Sequence, residues 1–340
     1  MKHTAVLIPG DGIGLEVSVA VRDIFTAAGA PVQWTEHLAG EVALQHGKKE
    51  LLPAETLDAI REHKVALKGP CTTPIGGGFA SVNVALRKKL NLFAAVRPLR
   101  NMPGVKTRYE NVDLVIIREN TEGLYSGLEN AITDDVVVSM KVATRAACHR
   151  IADWAFRYAV ARKRKRVSVL HKANIMKLTD GMFLTEARKA RGDYPNVEYD
   201  EHIIDAALMR LVRDPTAFDI ILCENLYGDL VSDMCAGMVG GLGVAPGANF
   251  GEDCAVFESV HGSAPDIAGK NLANPLALLM SATMMLNHLA IARSDESCAR
   301  VASRIKTAYD RALAEGQTTG DLGGKLGTRE FTQAVIDRLP

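Results

Sequence analysis

The sequence predicts an α/β protein with a largely parallel sheet, on three observations. Short apolar runs rich in β-branched residues alternate with patterns of helical period along the whole chain. The chain has 340 residues, which is enough for two domains, or one large domain, with a sizeable core. Its composition, 47% hydrophobic and 24% charged, is typical of a globular protein rather than of a disordered or fibrous chain.

The predicted elements follow this alternation in order. The strands span residues 5–8, 65–67, 114–118, 167–170 and 220–223. The helices carry apolar residues three and four positions apart and span residues 16–28, 54–62, 145–162, 176–190, 203–213, 230–239, 275–292 and 301–315. One further run, VVVSMKVA at 136–143, is extended but has no evident partner strand, and we expect it to pair with another chain.

The charge balance argues against two classes of partner. Lys plus Arg and Asp plus Glu each number 40, so no overall charge draws the chain to nucleic acid or to an anionic membrane surface. The most membrane-like segment, 276–292, contains Asn287 and His288 and follows Asn274-Pro275, a favourable helix start. These features predict a buried helix rather than a membrane span.

The cysteines and the start of the chain predict a cytoplasmic protein. The six cysteines, at 71, 148, 223, 235, 254 and 298, never form C-x-x-C, which is typical of reduced thiols rather than of a zinc ribbon or a disulfide scaffold. The predicted core begins almost at Met1, which leaves no room for a targeting segment.

The stretch LIPGDGIG at 7–14 resembles a phosphate-binding loop, but its spacing is wrong for one. A dinucleotide fingerprint needs G-x-G-x-x-G, whereas Gly10, Gly12 and Gly14 are one residue too close. Glu36 lies about where a ribose-binding acid belongs, but no clear second strand leads to it. No lysine followed by Ser or Thr comes directly after these glycines, so a P-loop is excluded. The stretch therefore predicts a compact turn from strand to helix.

Three arginines, Arg87, Arg97 and Arg118, are candidates for binding carboxylates. Arg97 and Arg118 follow the apolar runs FAAV and LVII, where a charge is costly without a partner. A helix that starts at Ser81 could turn Ser81, Asn83 and Arg87 toward one pocket. The alternative is that these arginines form ordinary surface ion pairs.

Two aspartates, Asp229 and Asp233, are candidates for binding a divalent cation. Their spacing of four puts both carboxylates on one face of a helix, where they repel each other unless a cation lies between them. Oxygen ligands without His or Cys favour Mg²⁺ or Mn²⁺. Asp205 is a third acid within an apolar stretch. The alternative is that Asp229 caps the helix and Asp233 is solvated.

Three further residues complete the set of candidates. Lys172 directly follows the strand-like VSVLH, where α/β sheets place functional groups, and Tyr125 lies seven residues beyond Arg118. Together with a metal and a carboxylate clamp, they are a candidate base and a candidate acid. The polar loop HGSAPDIAGKNLANP at 261–275 contains Asp266, which could bind a ribose diol and would repel a 2′-phosphate.

Taken together, these stretches resemble the metal-dependent β-decarboxylating dehydrogenases that act on isocitrate, 3-isopropylmalate, homoisocitrate and tartrate. The similarity covers nearly the whole chain, in the family's order and spacing. It rests on the motifs IPGDGIG, TTPIGGG, VRP, RENTEGLY, HKANIMK, NLYGDLVSD and HGSAPDIAGKNLANP.

Within that family, the chain resembles the NAD-dependent isocitrate branch. Ser81 and Asn83 match positions that bind the third carboxylate of isocitrate, whereas NADP-dependent relatives carry Lys and Tyr in place of Asp266 and Ile267. The resemblance implies the cofactor NAD, with contacts at Ile13, Thr73, His261, Gly262, Ser263, Ala264, Asp266, Ile267 and Asn274.

The resemblance also implies a role for each candidate in catalysis. Arg87, Arg97 and Arg118 bind substrate carboxylates, while Mg²⁺ or Mn²⁺ binds Asp229, Asp233 and the Asp205 of a partner subunit. Lys172, also from the partner, assists removal of the C2 hydroxyl proton, and Tyr125 protonates C3 after CO₂ leaves.

The fold implied is the two-domain α/β fold of this family, not a Rossmann fold. The expected division is a large cofactor-binding domain of 1–98 and 254–340, and a small domain of 99–253 with the dimer interface. The run 136–143 matches an intersubunit clasp strand, so we expect a homodimer with shared active sites. The alternatives are a homoisocitrate or 3-isopropylmalate dehydrogenase and, disfavoured because the catalytic set is complete, a regulatory component of a hetero-oligomeric enzyme.

Overall fold

The computed structural model describes residues 2–72 and 81–340, and within them the chain alternates between strands and helices. The predicted α/β class is therefore confirmed. The twelve strands of the described residues are β1 (His3–Ile8), β2 (Val32–Glu36), β3 (Val65–Lys68), β4 (Ala94–Arg100), β5 (Asp113–Glu119), β6 (Gly123–Thr133), β7 (Val136–Val142), β8 (Arg166–His171), β9 (Glu198–Ile203), β10 (Ile220–Cys223), β11 (Pro246–Phe250) and β12 (Ala255–Ser259).

Every helix predicted from the sequence is present, with its bounds shifted by a few residues. The eleven α-helices of the described residues are α1 (Gly14–Ala27), α2 (Glu41–Gln45), α3 (Ala54–His63), α4 (Val82–Lys89), α5 (Arg145–Ala161), α6 (Thr179–Arg191), α7 (Ile204–Arg213), α8 (Asn225–Val239), α9 (Leu276–Ala292), α10 (Glu296–Ala314) and α11 (Thr328–Ile336). The largest shifts are at α8 and α10, which each begin five residues before the predicted start.

The chain forms two compact units, of which the first comprises Met1–Leu90, Asn101–Arg108 and Val239–Pro340. Its strands lie in the order β2-β1-β3-β12-β11. The first four are mutually parallel, and β11 is antiparallel to β12. The side chains of 5–8 and 65–67 are all buried, which explains why these runs are continuously apolar instead of alternating.

The second unit comprises Asn91–Arg100 and Tyr109–Met238. Its strands lie in the order β4-β5-β10-β8-β9, with β4 antiparallel to β5 and the others parallel. The carboxyl ends of β5, β10 and β8 therefore share one edge, the position where parallel sheets bind ligands. The domain division 1–98 with 254–340, against 99–253, stays a prediction.

A separate two-stranded hairpin, β6–β7, belongs to the second unit. The sequence showed no evident partner strand for the run 136–143, and the structure supplies one, because β7 pairs with β6 from Leu128 to Thr133. β6 was missed because GLYSGLENAIT is polar and does not alternate. The hairpin exposes several apolar side chains, among them Leu128, Ile132, Val137 and Met140. Pairing with another chain stays a prediction.

Helix α9 confirms the expectation for the most apolar segment. Asn274 Oδ1 accepts a hydrogen bond from the Leu276 backbone N–H at 3.0 Å, which satisfies a donor at the start of the helix. Most side chains of α9 are buried in the first unit. Among the described residues, none of the helices combines the length and the apolar character needed to cross a membrane.

Candidate active site

The turn before α1, in the first unit, needs its glycines for their backbone conformation and their small size. Gly10 and Gly12 have φ of 77° and 55°, which favours glycine. A Cβ on Gly12 would also collide with the Ser263 carbonyl oxygen. The carboxylate of Asp11 is fully used, since it accepts hydrogen bonds from the backbone N–H groups of Glu41 (3.0 Å), Val42 (2.7 Å) and Thr72 (2.6 Å). The motif is thus a structural turn, as its spacing predicts.

The same turn meets the loop at 261–275, which carries most of the predicted cofactor residues. The Ile13 N–H donates to the Ser263 carbonyl at 2.8 Å, and the hydroxyls of Thr72 and Ser263 lie 2.6 Å apart. Ile13 and Ser263, distant in sequence, are therefore neighbours. Thr73 lies outside the described residues.

Three side chains of this loop differ in how free they are to bind a ligand. Asp266 is exposed on the short 3-10 turn Pro265–Ile267, where its carboxylate can reach a ligand. Burial lowers the pKa of His261, so its imidazole is held neutral. Asn274 is less available, since it donates to Asp321 at 3.0 Å and caps α9. Six of the predicted cofactor residues lie within the seven consecutive positions 261–267: His261, Gly262, Ser263, Ala264, Asp266 and Ile267.

Arg87 belongs to a buried charge network that the sequence did not reveal. Glu258 accepts from Lys68 Nζ at 2.8 Å and from Arg87 Nη2 at 3.1 Å, and Asn249 donates to it at 2.8 Å. Because β3 and β12 pair with Lys68 opposite Glu258, the register itself places the two charges together. Arg87 Nε is buried without a hydrogen-bond partner among the described residues, so it retains a donor for a ligand.

Ser81 and Asn83 lie at the start of α4, as predicted. Ser81 Oγ accepts from the Val84 N–H at 3.5 Å, a long capping bond. Asn83 Oδ1 is buried, and in the described part of the chain nothing hydrogen bonds to it. A buried amide oxygen without a partner is costly, which suits Asn83 to a polar ligand.

In the second unit, the structure brings together Arg97, Arg118 and Asp229 from three separate segments. Arg97 on β4 and Arg118 on β5 lie on paired strands, and both guanidinium groups contact Asp229 of α8, Arg97 at 3.3 Å. A Cβ on Gly228 would collide with Arg118, so glycine lets α8 approach β5 closely. Arg118, only 1% exposed, also donates to Asn225 Oδ1 from Nε at 3.0 Å and from Nη2 at 2.7 Å.

Tyr125 and Asp233 complete this cluster. Tyr125 donates its hydroxyl proton to Asp229 at 2.6 Å, and Asp233 accepts from Arg97 Nη1 at 3.1 Å. Burial, followed by the bond to Asp229, raises the pKa of Tyr125, so this phenol stays protonated. Burial also raises the pKa of Asp233, with the Asp229 charge adding to the effect and Arg97 opposing it.

The donor set fits a divalent cation in part. Asp229 and Asp233 both contact the Arg97 guanidinium, so two oxygen ligands of the kind that Mg²⁺ and Mn²⁺ prefer lie on the same side of α8. Asp205 is not with them. In the described residues, ligand atoms of three His, Cys, Asp or Glu come within 4.8 Å of one another only at His3, Asp295 and Cys298. One chain therefore supplies two of the three predicted carboxylates at this place.

Lys172 and Asp205 instead contact each other. Lys172 directly follows β8, and Asp205 is the second residue of α7. The lysine ammonium donates a hydrogen bond to the Asp205 carboxylate. This contact lowers the pKa of Asp205. Both side chains are accessible, with 27% and 68% exposed, so both can reach a ligand or a second chain.

Several residues of the networks around these candidates were missed, among them Lys68, Asn225, Ser232, Asn249 and Glu258. Asn225 and Ser232 lie in NLYGDLVSD beside the predicted aspartates, and helical spacing from Asp229 could have indicated them. No sequence signal predicts Lys68 with Glu258, because their contact depends on strand order.

The comparisons with known proteins show the family of this chain. The family model for isocitrate/isopropylmalate dehydrogenase matches residues 4–335. The crystal structure of isocitrate dehydrogenase from Methylococcus capsulatus superposes with a TM-score of 0.93 and 44% identity, covering 99% of each chain. The two-domain fold expected from the resemblance is therefore confirmed. The chain belongs to the isocitrate/isopropylmalate dehydrogenase family.

The relatives differ in their named roles. The mitochondrial catalytic subunit 5 of NAD isocitrate dehydrogenase from Arabidopsis thaliana is 52% identical over 338 residues, 99% of this chain and 88% of the relative. A mitochondrial regulatory subunit of NAD isocitrate dehydrogenase from Dictyostelium discoideum is 47% identical over 335 residues, 98% of this chain and 91% of the relative. A chloroplastic 3-isopropylmalate dehydrogenase from Solanum tuberosum is 50% identical over 314 residues, 92% of this chain and 86% of the relative.

These relatives correct one expectation. A cytoplasmic location was predicted from the cysteines and from the start of the chain, and the comparison contradicts it, because the isocitrate dehydrogenase relatives at 46–52% identity are named as mitochondrial. Reduced cysteines do not distinguish between compartments that both keep thiols reduced.

Proposed function

We propose that this chain catalyses the oxidative decarboxylation of isocitrate to 2-oxoglutarate and CO₂, with reduction of NAD and dependence on Mg²⁺ or Mn²⁺. The observation that carries the proposal is the cluster of the second unit, where two buried arginines, two aspartates and a protonated tyrosine converge. Fixed positive charge beside a proton donor suits a substrate with several carboxylates.

The arginines and the residues of α4 bind the substrate in this proposal. Arg97 and Arg118 are rigid forks held by hydrogen bonds, so they bind carboxylates with little loss of side-chain freedom. Arg87, whose buried Nε has no hydrogen-bond partner in the described part of the chain, binds a further carboxylate. Ser81 and Asn83 bind the third carboxylate, which distinguishes isocitrate from 3-isopropylmalate.

Asp229 and Asp233, with Asp205 of a second subunit, would hold the divalent cation. When bound, this cation lowers the pKa of the substrate alcohol and stabilises the enolate formed after decarboxylation. Lys172 assists removal of the C2 hydroxyl proton by accepting it as the neutral amine, while the C2 hydride passes to NAD. Tyr125, whose raised pKa keeps it protonated, donates its proton to C3.

We further propose that NAD is bound by Ile13, Thr73 and the loop at 261–275, with Asp266 accepting from the ribose hydroxyls. An exposed carboxylate there repels the 2′-phosphate of NADP. The chain acts as a homodimer in which Lys172 and Asp205 of one subunit serve the site of the other. The exposure of both side chains supports this assignment.

Two alternatives have specific support. The 3-isopropylmalate dehydrogenase relative favours that substrate, with homoisocitrate as a third possibility of the same mechanism. The regulatory relative favours a non-catalytic role. Against the latter, Tyr125, Lys172, Asp205, Asp229 and Asp233 are all present in this sequence.

A steady-state panel separates these possibilities. Isocitrate, homoisocitrate and 3-isopropylmalate are each assayed with NAD and with NADP in the presence of Mn²⁺. We expect kcat/KM to be highest for isocitrate with NAD, by about 100-fold or more over 3-isopropylmalate, because that substrate leaves Ser81 and Asn83 unpaired. A higher kcat/KM for either other acid would overturn the substrate proposal, and a preference for NADP would overturn the cofactor proposal.

A further inference from the structure

A buried carboxylate that the proposed mechanism does not use holds the backbone of Lys172. Asp180, the second residue of α6, is 2% exposed. Its Oδ2 accepts a hydrogen bond from the Lys172 backbone N–H at 2.7 Å. The Lys172 carbonyl in turn accepts from the N–H groups of Ile175 and Met176, each at 2.9 Å. Both sides of the Lys172 peptide unit are therefore restrained.

The charge of Asp180 is balanced from a different element. Lys141, on β7, donates from Nζ to Asp180 Oδ1 at 2.6 Å, and its side chain is 12% exposed. The same ammonium lies 4.7 Å from the centroid of the Tyr227 ring and 3.8 Å from the Glu224 carboxylate. Because a buried carboxylate without a countercharge is strongly disfavoured, Asp180 depends on Lys141 as its countercharge in this place.

The two oxygens of Asp180 thus join two segments that are separate in sequence. One oxygen binds the hairpin strand β7, and the other binds the first residue after β8. The side chain of Lys141 is largely buried, whereas Val137 and Met140 of the same strand are exposed. The hairpin therefore supplies, from its inner side, the charge that fixes the peptide carrying Lys172.

We propose that Asp180 is a positioning residue that holds Lys172 in its reactive place, and that Lys141 enables it to do so. The inference rests on the proposed function, in which Lys172 accepts the substrate proton. A group that transfers a proton must lie within hydrogen-bond reach of it, and a displacement of about 1 Å can cost about 100-fold in rate. Asp180 and Lys141 themselves do not contact substrate in this proposal.

The test compares kcat and KM for variants of the full-length chain. We expect Asp180→Asn, which removes the charge, to lower kcat by about 10-fold to 100-fold and to change KM for isocitrate and NAD by less than about twofold. Lys141→Gln should behave in the same way, whereas Lys141→Arg should restore most of kcat because it keeps the cation. If Asp180→Asn does not fold, the Lys141 pair makes the same comparison.

A buried carboxylate on the same helix provides the matched control. Glu186 of α6 is 3% exposed and paired with Arg145 at 2.7 Å and Lys189 at 2.8 Å, but it does not touch Lys172. Glu186→Gln should lose stability and keep kcat. A kcat loss in Glu186→Gln equal to that of Asp180→Asn would reduce Asp180 to a structural role and overturn the inference.

Lys172→Met distinguishes failure of the inference from failure of the proposed function. If Lys172→Met loses activity while Asp180→Asn and Lys141→Gln keep the kcat of the unmodified chain, only the positioning role is overturned. If Lys172→Met keeps full activity, Lys172 is not the proton acceptor, and the proposed mechanism fails together with the inference.

Discussion

Glu258 shows how a single residue can combine structural and functional constraints. It lies in the first unit between Lys68 and Arg87, and all three side chains are at least nine-tenths buried. Burial alone would raise the pKa of Glu258, but the two cations outweigh burial and hold it well below its usual range. Likewise, burial would lower the pKa of Lys68, and the Glu258 charge reverses the direction. The carboxylate is therefore ionised in the folded chain.

Replacing this carboxylate has a predictable energetic effect. We expect Glu258→Gln to lower the free energy of unfolding by about 3 kcal/mol or more at neutral pH, because Lys68 and Arg87 remain buried without a countercharge. The folded-state pKa is lowered, so the stabilisation is present above about pH 4.3 and is lost as the pH falls through the folded value. The difference between the two proteins should persist to about pH 5 and shrink at lower pH.

Urea unfolding at several pH values measures this difference. The matched control is Glu198→Gln, since Glu198 pairs with Arg166 at 2.7 Å but its side chain is 61% exposed. An exposed pair contributes below about 1 kcal/mol, so this variant should unfold nearly as the unmodified chain does. Equal losses in the two variants would contradict the account of Glu258.

At this scale the sequence predicts some site residues better than others. Arg97 and Arg118 were identified because a charge after an apolar strand needs a partner, and both indeed have carboxylate partners. The identity of the partners of Arg87 was not predictable. Glu258 follows Arg87 by 171 positions, and only the pairing of β3 with β12 brings Lys68 opposite it.

At the scale of elements, the hairpin β6–β7 carries the clearest prediction. Apolar side chains on a two-stranded sheet are normally covered, because such a hairpin is marginally stable alone. Val137 of β7 is 64% exposed, and Ile132 of β6 is 63% exposed. We therefore expect a second copy of the chain to cover them, which is the homodimer of the proposed function.

Val137→Asp should weaken that association. A charge placed in an apolar interface is desolvated without a partner, so we expect the dimer dissociation constant to rise by about 30-fold or more. Sedimentation equilibrium measures it. Val160→Asp is the matched control, because Val160 is 57% exposed on α5 of the same unit but does not lie on the hairpin. If Val137→Asp and Val160→Asp associate equally, the hairpin is not the interface.

The elements predicted most clearly from the sequence are those with a strong hydrophobic periodicity or a continuous apolar run. α9 and β1 were predicted because their apolar patterns are long or continuous. Six strands of the described residues were missed: β2, β4, β6, β9, β11 and β12. For β6 and β9 the reason is that GLYSGLENAIT and EYDEHI are polar and their pairing is decided by neighbouring strands. The same reason explains why the partner of β7 could not be named.

For the whole molecule, the alternation of elements predicted the class and the order of motifs predicted the family. The candidate residues are distributed over both compact units. The first contains α4 and the loop at 261–275, and the second contains the arginines of β4 and β5, Tyr125, the aspartates and Lys172. The spacing of these candidates in the sequence does not show which of them are in contact. Asp229 and Asp233 both contact Arg97, whereas Asp205 contacts Lys172.

The most direct measurement is turnover by the purified chain alone, supplied with isocitrate, NAD and Mn²⁺. If this chain carries a complete catalytic set, NADH and 2-oxoglutarate form in equal amounts, and both stop when EDTA removes the cation. Asp229→Asn should abolish the same turnover, since Asp229 contacts Arg97, Arg118 and Tyr125 and is a proposed ligand of the cation. No turnover by the unmodified chain, or NADH formation that is unaffected by EDTA, would contradict catalysis of this reaction by this chain.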